Sequence, residues 1–355
     1  MKNILWILLL IFIFSLSSCE TPLSVADIAK MSYREMIEHH LRGARRAVLT
    51  VGIVQNGEMS FRVFGENGRE LPKREHIYEI GSITKPIVAQ LFARAISESR
   101  VNLDDQIDLF LDLPAKGYYP TIRRLLTHRS GYITDYYFPF VVSTNFLLDG
   151  NPFYGITRRM VLDLIGQINL ENRDYPFLYS NFAYAVAGLV LEEVFNEGIT
   201  LLLNNYLRND LGLKNTRVGN GRGDLSHYWR WNENNPFIAA GGLVTTITDM
   251  MKFAQMQIDG TPSYVSFAHN VLAQVDNAPP FMHIPELGVR VDAIGLGWLI
   301  DSVHNIIWHG GGTSVFGSYI GFDKNNGIAV VVLSNTRGMN NIVHTIGSTI
   351  LRGLQ

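Results

Sequence analysis

The sequence predicts an α+β fold in which both chain ends contribute to one antiparallel sheet flanked by helices, with a mostly helical domain inserted between them. Two observations predict this arrangement. Strand-like runs lie near both ends of the chain, whereas the middle shows mostly helical periodicity broken by loops rich in Tyr, Pro and Gly. Strands so distant in sequence are expected to share one sheet, which the terminal helices cover.

The composition of the 355-residue chain excludes several classes of protein. A hydrophobic fraction of 47% is ample for a packed core and excludes an intrinsically disordered chain. Thirty basic residues balance 32 acidic ones, so there is no net field to attract nucleic acid. The single cysteine excludes an intramolecular disulfide and a zinc site built from cysteines. We expect no metal or other cofactor.

The first residues predict an export signal and a lipid anchor. Lys2 precedes an apolar run over 4–14, which is too short to span a bilayer but fits a secretory signal peptide. The sequence Leu16-Ser17-Ser18-Cys19 resembles a bacterial lipoprotein lipobox, which implies a signal peptide at 1–18, a lipidated Cys19 and a tether over 19–24. A buried N-terminal helix or a plain secretory signal are the alternatives. We expect an exported protein, lipid-anchored to the cell membrane or outer membrane and facing the periplasm or exterior.

The elements of the first part follow from local patterns. One domain is expected over 25–355, its α/β part at about 25–99 and 290–355 and its helical part at about 100–289. A helix is predicted from about Val25 to Arg42, followed by strands at 47–54 and 59–64. Asn56-Gly57 between these strands is a strong hairpin signal.

The remaining elements return from helix to strand. Helical patterns run from about 83 to 194 and over 248–258, where Thr246 or Thr248 could cap the helix. Strands are predicted at 296–301, 306–308, 317–322 and 328–333, with a turn over 323–327. A final helix is predicted over 341–351, and we find no internal repeat.

The first motif that could carry chemistry is Ser82-Ile83-Thr84-Lys85, which opens a helical pattern. At this spacing both side chains project from one helix face, so the ammonium lies near the hydroxyl and lowers the cost of deprotonating it. The alternative is a serine helix cap followed by a solvated lysine.

Two further motifs lie far along the chain. In Tyr179-Ser180-Asn181, a tyrosine hydroxyl beside a lysine can be partly ionised and act as a base, and the Asn amide can orient a substrate. The alternative is a buried Tyr with a turn-forming Asn. In the stretch 308–313, His309 precedes three glycines that would let a substrate backbone approach an edge strand. The alternative there is a glycine-rich hairpin with an incidental His.

The three motifs in this order resemble the class C β-lactamase-like serine hydrolase family, which includes β-lactamases, D-alanyl-D-alanine carboxypeptidases, D-amino-acid peptidases and some esterases. The stretches 122–131, 240–246 and 295–298 also resemble the family. The resemblance implies a β-lactamase/transpeptidase-like fold and a small-molecule or peptide substrate, with cell-wall D-amino-acid peptides expected first. The sequence leaves the oligomeric state open.

The resemblance also implies roles for individual residues. Ser82 would be the acylating nucleophile and Lys85 its activating partner. Tyr179 would act as base and then acid, with the division of proton transfer between it and Lys85 left open. The substrate-binding residues would be Asn181, His309, Gly311 and Gly312, with the amides of Ser82 and Gly312 forming an oxyanion hole.

One departure concerns His309, where class C β-lactamases carry Lys. A histidine with an ordinary pKa near 6.5 is only partly charged at neutral pH, so we expect weak β-lactam turnover and a rise in activity on carboxylate-bearing substrates toward pH 6. Two alternatives remain open: a carboxylesterase of the same fold, and a non-catalytic module that binds or senses peptidoglycan or β-lactams.

Overall fold

The computed structural model of the protein describes residues 24–133, 145, 150–336 and 342–355. The expected signal peptide, Cys19 and most of the tether lie outside these residues. Within the described part, no helix is both long and apolar enough to cross a membrane.

A large antiparallel sheet forms the frame of the molecule. Its nine strands within the described residues follow the order β3-β2-β1-β12-β11-β10-β9-β8-β7. The strands are β1 Leu49–Gln55, β2 Glu58–Phe64, β3 Glu70–Leu71, β7 Ala273–Gln274, β8 Ala293–Ile294, β9 Leu299–Asp301, β10 Ile306–Gly312, β11 Gly317–Asp323 and β12 Ile328–Ser334. A smaller sheet joins β4 Tyr78–Glu79, β6 Leu243–Thr245 and β5 Arg217–Val218 in the order β4-β6-β5.

The sheet joins the two ends of the chain, as the sequence predicts. β1 pairs with β12 over its whole length, from Leu49 opposite Ser334 to Gln55 opposite Ile328. The side chains of β12 alternate between two cores, with Val331 and Leu333 in one and Val330 in the other. Burial on both faces explains why β12 is a continuous apolar run rather than an alternating one.

Helices cover both faces of this sheet. The helices are α1 Val25–Ile28, α2 Tyr33–His40, α3 Thr84–Ser97, α4 Ile122–Leu126, α5 Arg158–Gln167, α6 Asn181–Phe195, α7 Ile199–Asn205, α8 Ile238–Gly241, α9 Ile247–Asp259, α10 Tyr264–Phe267 and α11 Ile342–Leu354. α11 packs on β11 and β12, and α9 packs on β1 and β12. α3, α6 and α8 contact one another beside the sheet.

The division into an α/β part and a helical part stays a prediction. α9 packs on the main sheet although it lies in the stretch 100–289, which was expected to be the helical part. Thr246 caps α9, because its side chain accepts a hydrogen bond from Asp249 N.

Two predicted elements differ from the structure for identifiable reasons. The helix predicted over Val25–Arg42 is instead two helices, because Ser32 forms a capping box with Glu35 that starts α2 anew. The strand predicted over 296–301 begins only at Leu299, because Gly297 has φ +69° in the turn that precedes it. The start of the final helix at 341 lies outside the described residues.

Candidate active site

A short 3₁₀ turn, Gly81–Ile83, carries Ser82 at the entrance to α3. Gly81 has φ +47°, and a Cβ on it would lie 2.7 Å from both the N and O atoms of Gly312. Only glycine therefore allows this turn to approach β10 so closely. Ser82 itself is half-buried, whereas Gly81 and Ile83 on either side of it are buried.

Lys85 lies in the first turn of α3 and is buried, and oxygen atoms of three described residues lie within hydrogen-bond distance of its Nζ. Nζ lies 2.9 Å from Ser82 Oγ, 2.8 Å from Asn181 Oδ1 and 2.8 Å from the carbonyl oxygen of Ala240. A charged ammonium can donate to all three oxygens. A neutral amine can donate to Asn181 and Ala240 and accept the proton of Ser82 through its lone pair. The same positions of these atoms therefore suit Lys85 both before and after it takes a proton from Ser82.

Tyr179 faces the same pair of residues. Its ring lies under the Lys85 ammonium, with Nζ 4.9 Å from the ring centroid. Burial raises the pKa of the Tyr179 hydroxyl, and a hydrogen bond with Ser82 opposes the rise only in part. The expectation that a neighbouring lysine holds Tyr179 partly ionised is therefore wrong: the hydroxyl is protonated at neutral pH and is suited to donate a proton.

Asn181 begins α6, two residues after Tyr179. Its Oδ1 accepts the hydrogen bond from Lys85, which turns its Nδ2 group away from the ammonium. Ser180 between them caps α6 by accepting a hydrogen bond from Ala183 N. The start of α6 thus positions the side chains of Tyr179 and Asn181 close to Ser82 and Lys85.

His309 lies on β10 and faces the site, but it is almost completely buried. Its Nδ1 lies 2.6 Å from the carbonyl oxygen of Gly310, so Nδ1 carries the proton of the neutral ring and Nε2 is an acceptor. Burial and the nearby charge of Lys85 lower the pKa of His309 to about 3. The expected partial charge at neutral pH is therefore wrong, because burial penalises the imidazolium.

The glycines after His309 bring β10 against the serine turn. A Cβ on Gly311 would lie 2.0 Å from Ile80 O and 2.9 Å from Ser82 N, so no larger residue fits there. Thr313 N donates a hydrogen bond to Phe316 O, so Thr313 belongs to a hydrogen-bonded pair of the ladder between β10 and β11. Because hydrogen-bonded pairs alternate along an antiparallel ladder, the preceding residue, Gly312, belongs to a pair that is not hydrogen-bonded. The N–H of Gly312 therefore points away from β11.

That N–H lies on an edge of β10 that β9 leaves open. β9 pairs with β10 only from Ile306 to Trp308. Gly312 N also lies close to the turn that carries Ser82, since a Cβ on Gly81 would be 2.7 Å from it, and such closeness is what an oxyanion hole formed by the amides of Ser82 and Gly312 requires.

Sequence reasoning missed three contributors to this site. Ala240 supplies the carbonyl that holds Lys85, whereas in the sequence the stretch 240–246 shows only a family resemblance. Glu79 is buried and accepts hydrogen bonds from Thr313 Oγ1 at 2.6 Å and from Trp229 N. Burial raises the pKa of Glu79 to about 7. His128 contacts the Tyr179 ring at a centroid distance of 4.4 Å.

Comparison with known proteins assigns the chain to a family. The family model described as Beta-lactamase matches residues 33–347. The chain belongs to the Beta-lactamase family. This result confirms the resemblance drawn from the three motifs.

Solved structures share the fold of this Beta-lactamase family member. A β-lactamase/D-alanine carboxypeptidase from Yersinia pestis complexed with citrate gives a TM-score of 0.69 at 19% identity, covering 91% of this chain and 98% of its own. A D-amino acid amidase from Ochrobactrum anthropi SV3 complexed with D-phenylalanine gives 0.68 at 20% identity, covering 93% and 99%. The β-lactamase/transpeptidase-like fold predicted from the sequence is confirmed.

This member of the Beta-lactamase family also resembles a curated protein that is longer than the chain itself. Protein flp of Staphylococcus aureus strain MRSA252 is 21% identical over an alignment of 327 residues that covers 84% of this chain. The chain spans 62% of the length of that relative, so the similarity concerns only part of it.

Proposed function

We propose that this chain is a serine hydrolase that forms an acyl-enzyme on Ser82 Oγ. The observation that carries the proposal is the position of Lys85 Nζ, 2.9 Å from Ser82 Oγ and held there by Asn181 and Ala240. A nucleophile with an adjacent base, which is itself oriented by further groups, is the arrangement that covalent catalysis needs.

The acylation step uses these residues in sequence. Lys85 in its neutral form takes the proton of Ser82 while Oγ forms a bond to the substrate carbonyl carbon. The electron pair of the carbonyl moves to its oxygen, where the amides of Ser82 and Gly312 stabilise it; one such donor contributes about 2.7–4 kcal/mol. When the tetrahedral intermediate collapses, the leaving group departs with a proton from Tyr179, which recovers one from the Lys85 ammonium.

Deacylation follows the reverse path with water as the nucleophile. Water attacks the ester carbonyl, gives up a proton to the same residues and releases Ser82 with its hydroxyl restored. We propose that Asn181 contacts the substrate amide, because the hydrogen bond from Lys85 Nζ to its Oδ1 keeps this side chain beside the nucleophile. We propose that His309 and Gly311 contribute to the substrate site, since the His309 ring centroid lies 6.3 Å from the Tyr179 ring centroid and a Cβ on Gly311 would lie 2.9 Å from Ser82 N.

We propose D-amino-acid peptides of the cell wall, or related amides and β-lactams, as the substrate class. Two similar structures support this choice, since their names describe a D-alanine carboxypeptidase and a D-amino acid amidase.

A carboxylesterase of the same fold is the second candidate, and the state of His309 favours it. With the pKa of His309 at about 3, the ring offers no positive charge to a substrate carboxylate. An uncharged ester needs none. We therefore expect β-lactams with their carboxylate to be poorer substrates than neutral esters or amides.

A covalent probe and a substrate panel test these proposals. A fluorophosphonate probe should label the wild-type chain and should fail to label Ser82→Ala, with Ser97→Ala as a matched control on an exposed serine at the end of α3. Labelling that survives in Ser82→Ala would overturn the proposal. Turnover of p-nitrophenyl esters, D-Ala-D-Ala peptides and nitrocefin separates the esterase from the peptidase. Labelling without turnover of any substrate would favour the binding or sensing module.

We also propose that the protein is exported and anchored to a membrane through lipidated Cys19. The lipobox resemblance at 16–19 supports this proposal. Two acyl chains or more are required for stable anchoring, so loss of the cysteine should release the chain. Cells given an alkyne-tagged fatty acid should label the wild-type protein and leave Cys19→Ala unlabelled and in the soluble fraction. Equal fractionation of the two forms would contradict the anchor.

A further inference from the structure

His128 is a buried histidine that the proposed mechanism does not use. It lies two residues after the end of α4 and has φ +56°, in the left-handed region. Residues other than glycine are uncommon there, and such conformations cluster at functional sites. His128 is 1% exposed, and no group of metal-ligating side chains surrounds it within the part of the chain that the structure describes.

His128 contacts the segment that carries Tyr179 in three different ways. Its carbonyl oxygen accepts a hydrogen bond from Leu178 N at 2.8 Å. Its Nδ1 accepts a hydrogen bond from Ser180 N at 3.0 Å. Its ring lies against the Tyr179 ring, with the centroids 4.4 Å apart and the planes tilted by 37°. The backbone is thus held on both sides of Tyr179, and the aromatic ring is supported in between.

The hydrogen bond to Ser180 fixes the tautomer of His128. Because Nδ1 accepts the N–H of Ser180, the proton of the neutral ring is on Nε2. Burial and the charge of Lys85 lower the pKa of His128 well below its ordinary value. The ring is therefore neutral at neutral pH, and the acceptor at Nδ1 is retained.

The held segment leads directly into the reacting groups. The Tyr179 hydroxyl hydrogen-bonds with Ser82, and Asn181, two residues on, accepts the hydrogen bond of Lys85. A rotation of the Tyr179 ring would move its hydroxyl away from Ser82 without disturbing the backbone of β10. The contacts of His128 oppose such a rotation.

We propose that His128 is a positioning residue that holds the Tyr179 hydroxyl in place for proton transfer at Ser82. This inference rests on the proposed acyl transfer. His128 touches no reacting atom and acts only through Tyr179. Its substitution therefore slows acylation more than it weakens substrate binding, so kcat falls while KM changes little.

Two variants separate the contacts. His128→Asn fits the backbone, since asparagine tolerates positive φ, and its Oδ1 can replace Nδ1 as the acceptor for Ser180 N–H. His128→Phe keeps a ring against Tyr179 but loses the acceptor. We expect both variants to acylate about tenfold to a hundredfold more slowly than the wild type, the size of effect that a small misplacement produces. His227→Asn is the matched control, because His227 also has positive φ but is exposed.

The decisive measurement is a double-mutant cycle with Tyr179→Phe, using the rate of fluorophosphonate labelling and the kcat of ester hydrolysis. If His128 acts through the hydroxyl, His128→Asn slows labelling at least tenfold in the wild-type background and less than twofold in Tyr179→Phe. Equal slowing in both backgrounds, or no slowing in the wild-type background, would overturn the inference. Failure of the wild-type chain to label on Ser82 would instead overturn the proposed function. His128→Asn decides the matter if His128→Phe does not fold.

Discussion

The buried carboxyl of Glu79 should make the stability of this protein depend on pH. Burial raises the pKa of Glu79 from its ordinary value of 4.5 to about 7, and only two hydrogen bonds, from Thr313 Oγ1 and Trp229 N, oppose the rise. Glu79→Gln would reproduce the protonated side chain. Its Oε1 can accept from Trp229 N while its Nε2 donates to the oxygen of Thr313.

The sign and size of the effect follow from the two pKa values of Glu79. In the unfolded chain the carboxyl ionises above 4.5, whereas in the folded chain it stays protonated until about 7. Its contribution to stability is therefore fully present below pH 4.5 and is lost as the pH rises through 7. A difference of this size corresponds to about 3 kcal/mol in the free energy of unfolding between pH 4 and pH 8.

Urea denaturation at several pH values measures this contribution. The wild type should lose about 3 kcal/mol relative to Glu79→Gln between pH 4 and pH 8, so that the variant becomes relatively more stable at high pH. Glu171→Gln, at an exposed carboxylate, should instead parallel the wild type. Parallel pH profiles for the wild type and Glu79→Gln would refute the reasoning that burial keeps this carboxyl protonated.

Three further predictions follow from single positions. Gly311→Ala should reduce the rate of fluorophosphonate labelling at least about a hundredfold, because its Cβ would lie 2.0 Å from a backbone carbonyl oxygen beside the nucleophile. Gly117→Ala, where a Cβ would have no atom within 4 Å, should label at the wild-type rate. Equal labelling rates for the two variants would contradict the close approach of β10 to the serine turn. Because the pKa of His309 is about 3, the ratio of activities on carboxylate-bearing and neutral substrates should stay constant from pH 8 to pH 6, whereas a rise toward pH 6 would show a charged ring. Leu189→Ala, at a fully buried position of α6, should lower the free energy of unfolding in urea by about 2–5 kcal/mol. Leu201→Ala, at an exposed position, should lower it by less than about 0.5 kcal/mol. Similar losses in the two variants would mean that α6 is not part of the core.

The sequence predicts those features that local spacing determines. The spacing of Ser82 and Lys85 places both on one helix face, and the structure brings their polar atoms to 2.9 Å. The prediction of a single helix over Val25–Arg42 overlooks such a local signal, because Ser32 and Glu35 have the spacing of a capping box that starts α2. Apolar runs at both ends of the chain likewise predict the shared sheet, in which β1 pairs with β12.

Features that depend on tertiary burial could not be predicted in this way. The ordinary pKa of histidine suggests a partly charged His309, but enclosure of the ring beside Lys85 keeps it neutral. The third partner of Lys85 is the carbonyl of Ala240, which lies 155 residues away in sequence and carries no side-chain signal. The sequence gives His128 no role of its own, since neither its positive φ nor its contact with Tyr179 has a pattern in the sequence.

Trapping the acyl-enzyme tests the role of Ser82 most directly. The chain is mixed with excess p-nitrophenyl acetate, quenched in acid within the burst phase, digested and analysed by mass spectrometry. We expect one acetyl group per chain, located on the peptide that contains Ser82, and none on that peptide in Ser82→Ala or within the same time in Lys85→Ala. An acetyl group on a different residue, or the same burst in Ser82→Ala, would contradict nucleophilic catalysis by Ser82.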